Sequence, residues 1–103
     1  MRIEWSEIAF DDLSNIQDYI AKDAPYYADQ FIDKLMTATE KLSDHPRIGR
    51  EVPEAEYDPD IRELIFHSYR IIYQINTGHI LIIAVIHGSR DLINIDVKPW
   101  DIV

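Results

Sequence analysis

The stretch from Ile61 to Leu92, IRELIFHSYRIIYQINTGHILIIAVIHGSRDL, limits the fold most, because three runs of β-branched and aromatic residues follow one another with only short breaks. Runs at 61–67, 69–76 and 80–88 predict three strands, and NTGH at 76–79 predicts the turn between the last two. Arg70, His87 and Arg90 interrupt this apolar material. An unpaired guanidinium buried on both sides costs roughly several kcal/mol. Either one face of the sheet is open, or these residues meet partners.

Pairing choices narrow quickly. A hairpin turning at His67–Ser68 sets Phe66 opposite Tyr69, Leu64 opposite Ile71 and Arg62 opposite Tyr73, and a turn through 76–79 sets Ile75 opposite Ile80, Tyr73 opposite Ile82 and Ile71 opposite Ala84. This register gathers Leu64, Phe66, Tyr69, Ile71, Tyr73, Ile75, Ile80, Ile82, Ala84 and Ile86 on one face. The other face receives Glu63, Ile65, His67, Arg70, Ile72, Gln74, Leu81, Ile83, Val85 and His87, and is expected to be open. Gly88 is expected to form a bulge that turns Arg90 toward that open face.

Upstream, Ile3 and Trp5 alternate with polar neighbours as in a short strand, and Ser6 is placed to cap a helix. Ala9, Leu13, Ile16 and Ile20 then recur at helical spacing. Asp23-Ala24-Pro25 signals a second start, since proline fits a first helical turn, and Ala28, Phe31, Leu35, Ala38 and Leu42 continue the period. Two such helices form an antiparallel hairpin. EVPEAEYDPD at 51–60 has no period and reads as a surface loop. The expected fold is α+β, an α/β sandwich: a short N-terminal strand and a two-helix hairpin packed on one face of a small, mainly antiparallel sheet. Residues 1–103 are expected to form one domain.

Charge narrows the function. The formal net charge is −9; residues 1–60 hold 15 acidic and 6 basic side chains, and residues 61–103 hold 4 of each. Nucleic-acid binding draws most of its affinity from clustered cations, so strong direct binding of this kind is not expected. Cysteine is absent, the N-terminus has no apolar leader, and the run Ile80–Ile86 is too short to span a bilayer. A cytoplasmic protein without membrane attachment is expected. The four histidines lack metal-ligand spacing and the three glycines form no phosphate-cradling array, so no metal and no cofactor are expected. Glu63, Arg70 and His87 could in principle supply the base, cation and acid for cleaving RNA through its own 2′-hydroxyl. Equally, Glu63 and Arg70 could be a structural ion pair.

RIGREVPE after a helical hairpin, then IRELIFHSYRIIYQI, then ILIIAVIHGSRDL, resemble the RelE/ParE superfamily of toxins, most of all its ParE-like branch. The resemblance spans nearly the whole chain and is most specific at Tyr69–Tyr73 and His87–Asp91. It implies the toxin of a type II toxin-antitoxin system, neutralised by a cognate antitoxin with which it forms a hetero-oligomer. A ParE-like toxin would inhibit DNA gyrase and need no catalytic residues. A RelE-like toxin would be a ribosome-dependent mRNA endoribonuclease, for which the set here would be Glu63, Arg70, His87 and Arg90. Where that branch carries strand lysines this chain has Ile61 and Glu63, and where it carries a C-terminal tyrosine this chain has Trp100. A non-toxic antitoxin-binding module with the same fold is the third possibility. Candidate target contacts are Arg70, His87, Arg90 and Trp100. Candidate antitoxin contacts are Tyr26, Tyr27, Ile32 and Met36, which lie off the main helical stripes and are expected to be exposed.

Overall fold

The computed structural model describes residues 1–102. In chain order it contains β1 (Arg2–Trp5), α1 (Glu7–Ala21), α2 (Pro25–Thr39), β2 (Arg50–Glu51), β3 (Ile61–Phe66), β4 (Tyr69–Asn76) and β5 (His79–His87), with single 3₁₀ turns at Glu40–Ser43, Pro53–Ala55 and Pro99–Asp101. The sheet order is β1-β5-β4-β3-β2, with β1 parallel to β5 and every other pair antiparallel. This is the expected α+β arrangement.

Local chemistry starts each helix where the sequence places it. Ser6 Oγ accepts the Ala9 N–H at 3.1 Å and satisfies one of the orphan donors of α1. Pro25 opens α2, after Ala24, with no side-chain cap. The apolar stripes of both helices pack on one face of the sheet, joining Ala9, Leu13, Phe31 and Leu35 to Leu64, Ile71, Tyr73, Ile80 and Ile82.

Both hairpin registers hold as far as Tyr73 opposite Ile82, and there the expected pattern breaks. Ile72 lies opposite Ala84, so Ile83 is an extra residue on β5 and forms a bulge. Beyond it the strand's alternation is inverted. Val85 packs under the helices and His87 follows it to that side, against Tyr69, while Ala84 and Ile86 turn to the opposite face. The expectations for these four residues, and for a bulge at Gly88, are corrected accordingly. His67 also leaves the expected face: it sits at a φ of 53° in the β3–β4 turn, with its ring 5.4 Å from that of Phe31 on α2.

The far face is not open either. Val52 and Ala55 from the segment expected to be a surface loop, together with Leu92, Ile95 and Trp100 from the C-terminal stretch, cover Ile61, Ile72, Ile83, Ala84 and Ile86 in a second apolar cluster. Val52 and Leu92 are almost wholly buried. The sheet is therefore sandwiched between helices and irregular chain, which explains how its runs can be nearly continuous in apolar residues.

Candidate functional site

Arg70 stands on the far face of β4 and is 6% exposed, with Glu63 at 1%. Arg70 Nε donates to Glu63 Oε1 at 2.5 Å, while its two terminal nitrogens donate to the two Glu54 oxygens at 2.8 Å each. Glu63 Oε2 accepts from Arg50 Nε, also at 2.5 Å. The result is a linear chain, Arg50–Glu63–Arg70–Glu54, linking β2, β3, β4 and the 53–55 turn. Bidentate pairing of this kind fixes geometry as well as charge. Hydrogen bonding from Arg70 holds the Glu54 carboxyl below its ordinary range, although partial burial pushes it the other way, and the same contact with Glu54 raises the Arg70 pKa further. The expectation that Arg70 lies on an open face is thus corrected; its charge is compensated from two sides.

Tyr73 occupies the other face of the same strand and is fully buried. Its hydroxyl donates to the Pro46 carbonyl at 2.7 Å and accepts the Gly49 N–H at 3.1 Å, which ties the loop after α2 to the sheet. Gly49 has to be glycine: a Cβ there would lie 2.6 Å from both the Glu63 carbonyl and the Tyr73 hydroxyl. Ile71 and Ile72 face the two apolar clusters. Every residue from Arg70 to Tyr73 is therefore committed to the interior.

The second specific run, His87–Asp91, is a turn at the end of β5. Gly88 N–H donates to the Ser68 carbonyl at 2.7 Å, and Arg90 N–H to the His87 carbonyl at 3.0 Å. His87 Nδ1 accepts the Ser89 N–H at 3.1 Å, so in the neutral ring the proton sits on Nε2. The His87 ring meets Tyr69 edge to face at 5.5 Å. Arg90 is exposed, and its guanidinium forms no hydrogen bond or ion pair among the described residues. Asp12, on α1, borders the same cleft together with Asn15, Tyr19, Tyr69, His87 and Arg90. It accepts the Val85 N–H at 2.9 Å on the edge of β5 that β1 leaves uncovered, and burial raises its pKa against that hydrogen bond.

The candidates thus fall into separate places. Glu63 and Arg70 are enclosed on the far face, whereas His87 and Arg90 lie at the helix-side end of β5. Trp100 is half-buried against the far-face cluster. Of the four residues expected on an exposed hairpin surface, Tyr26, Tyr27 and Met36 are exposed, but Ile32 is 8% exposed and belongs to the core between helices and sheet. Sequence reasoning missed Arg50, Glu54 and Asp12. The signal for the first two was Arg70 itself, since a strand arginine needs carboxylates and the acidic 51–60 segment was the nearest supply. No group of His, Asp or Glu among the described residues could hold a metal ion, and no helix is long and apolar enough to cross a membrane.

Comparison with known proteins agrees with this geometry. Residues 3–92 match the family described as ParE toxin of type II toxin-antitoxin system, parDE. Toxin RelE2 of Caulobacter vibrioides is 30% identical over 90 residues, covering 86% of this chain and 97% of the relative. A solved chain of the chromosomal ParDE toxin-antitoxin system from P. aeruginosa superposes with a TM-score of 0.75 at 18% identity, over 86% of this chain and 97% of that one. At that identity the likeness speaks for the fold alone. The family match covers most of the sequence and both specific runs, and the chain belongs to the ParE family of toxins of type II toxin-antitoxin systems.

Proposed function

We propose that this toxin acts by protein contact on DNA gyrase, in the cytoplasm, and not by cutting RNA. The observation that carries this reading is the separation of Glu63 and Arg70 from His87. Cleavage by a 2′-hydroxyl needs a base, an acid and a cation converging on one phosphate. Here the carboxylate and guanidinium are closed on each other on one side of the sheet, and the imidazole packs on the other. A net charge of −9 also disfavours a ribosomal RNA surface. A protein target asks only for local complementarity. Exposed His87 and Arg90 at the helix-side end of β5 and, separately, half-buried Trp100 on the far face are the contacts left for it, with Arg70 supporting the sheet beneath.

A cognate antitoxin would cover Tyr26, Tyr27 and Met36 on the helical hairpin. The neighbouring sheet edge is open as well: β2 pairs only with Arg62 and Glu63, so the edge of Leu64–Phe66 away from β4 has no strand alongside, with Ile65 58% exposed. The decisive experiment is induction of the chain alone in growing cells, with separate assays of DNA breaks and of mRNA cleavage. DNA damage with intact mRNA is expected. Site-specific cuts in ribosome-bound mRNA, abolished by His87→Ala, would replace this reading with the nuclease, and unimpaired growth would replace it with the non-toxic binding module. Co-expression with the product of the adjacent gene tests the antitoxin separately, through complex size on a sizing column.

A further inference from the structure

The outward side of the helical hairpin carries side chains that serve no interior purpose. Tyr26 is 87% exposed and Tyr19 70%, at the end where the two helices meet. Tyr26, Asp29 and Asp33 follow one another at spacings of three and four along α2, a single exposed stripe. Asp11 and Asp18, seven apart, form the matching stripe on α1. Gln17 donates to Asp29 Oδ1 at 2.6 Å and so links the two helices on this exposed side. The surface is therefore aromatic and acidic together.

We infer that the partner segment seated on this face is a basic one, whose arginine and lysine side chains stack on Tyr19 and Tyr26 and pair with Asp18, Asp29 and Asp33. This rests on the antitoxin reading and names the chemistry of the antitoxin segment that covers the hairpin. Two observations select the occupant. One is charge: between residues 18 and 33 there are four aspartates and only Lys22 against them. The other is a cation already in place, for Lys22 Nζ lies 6.0 Å from the centroid of the Tyr19 ring. A ring that takes the ammonium of its own helix presents the same negative face to a guanidinium from outside, and arginine stacks better than lysine. Tyrosine supplies broad contact area at low entropic cost, so it suits an interface and not a solvated helix. An acidic or purely apolar segment would leave the aspartates buried without partners.

The test uses the full chain labelled for amide NMR and two synthetic amphipathic peptides, one alternating arginine with leucine and the other glutamate with leucine. The arginine peptide is expected to shift the Tyr19, Tyr26, Asp29 and Asp33 amides. Its affinity should fall about tenfold in the Asp29→Asn/Asp33→Asn double variant and in Tyr26→Ala, and should weaken as salt shortens the screening length. The control is Asp44→Asn/Glu56→Gln, which removes the same charge from exposed positions elsewhere. Absence of binding, equal binding of the glutamate peptide, or an equal loss in the control pair would overturn the inference. Because the probe is a peptide, these results are independent of whether the adjacent gene product forms a complex.

Discussion

Glu63 is the hinge of two charges: its Oε1 lies 2.5 Å from Arg70 Nε on the strand to one side, and its Oε2 is equally close to Arg50 on the strand to the other. Removing Arg70 would leave Glu54 without its cation and the fully buried Glu63 with Arg50 alone. Arg70→Ala should cost about 3–5 kcal/mol. At this chain length that lowers the melting temperature by roughly 10 °C or more, readable by circular dichroism. Arg50→Ala, whose side chain is 62% exposed, should cost much less. Equal small losses in both variants would contradict a buried network centred on Arg70.

The Tyr73 hydroxyl gives a second stability prediction. Tyr73→Phe keeps the ring but leaves the Pro46 carbonyl and the Gly49 N–H without their partner, at about 1–3 kcal/mol. Gly49→Ala should be worse, since both atoms it meets are held in place. Denaturant midpoints with unchanged slopes would confirm that only stability has moved.

Acid should act on this fold in two opposite directions. Glu54, ordinarily at 4.5, is depressed when folded, so its contribution is complete above that value and is lost as pH falls through the lower folded value. Asp12, ordinarily at 3.8, is raised when folded, so it weighs against folding at neutral pH, and that weight disappears as pH falls past its folded value toward 3.8. Glu54→Gln should therefore flatten the acid limb of a stability–pH curve. Asp12→Asn, which keeps an acceptor for Val85, should raise stability at neutral pH.

Asp12→Ala should behave differently from Asp12→Asn. It exposes the Val85 N–H on a strand edge beyond the reach of β1, and uncovered edges recruit other strands. Concentration-dependent association on light scattering is expected for Asp12→Ala and not for Asp12→Asn.

Much of this arrangement is legible in the sequence, for reasons that also mark where reading stops. The two hairpins could be aligned because Leu64, Ile71, Tyr73 and Ile82 must share a face, and the helices because their apolar residues recur at the helical period. The bulge at Ile83 left no trace. In LIIAVI every residue is apolar, so a slip of one position changes no polarity that a reader could follow. The second apolar cluster was hidden for the opposite reason: Val52, Ala55 and Leu92 are isolated among polar neighbours, and only the folded chain brings them together. Ile32 was misplaced because two packed helices bury a wider arc of α2 than a single stripe suggests. As for the candidate site, the residues of the two motifs were readable, but not that the bulge would send His87 to the side away from Arg70.

The line of ion pairs Arg50–Glu63–Arg70–Glu54 also constrains how such a chain can diverge. A single change of Glu63 to lysine would set three cations side by side across β2, β3 and β4, with Glu54 of the 53–55 turn paired to only one of them, and the neighbouring strands and the turn would have to yield together. Any lineage leading from this chain to a phosphate-gripping surface at that position must first relocate Arg70 or recruit a further acid. These linked charges thus act as an evolutionary ratchet, admitting change only in concert.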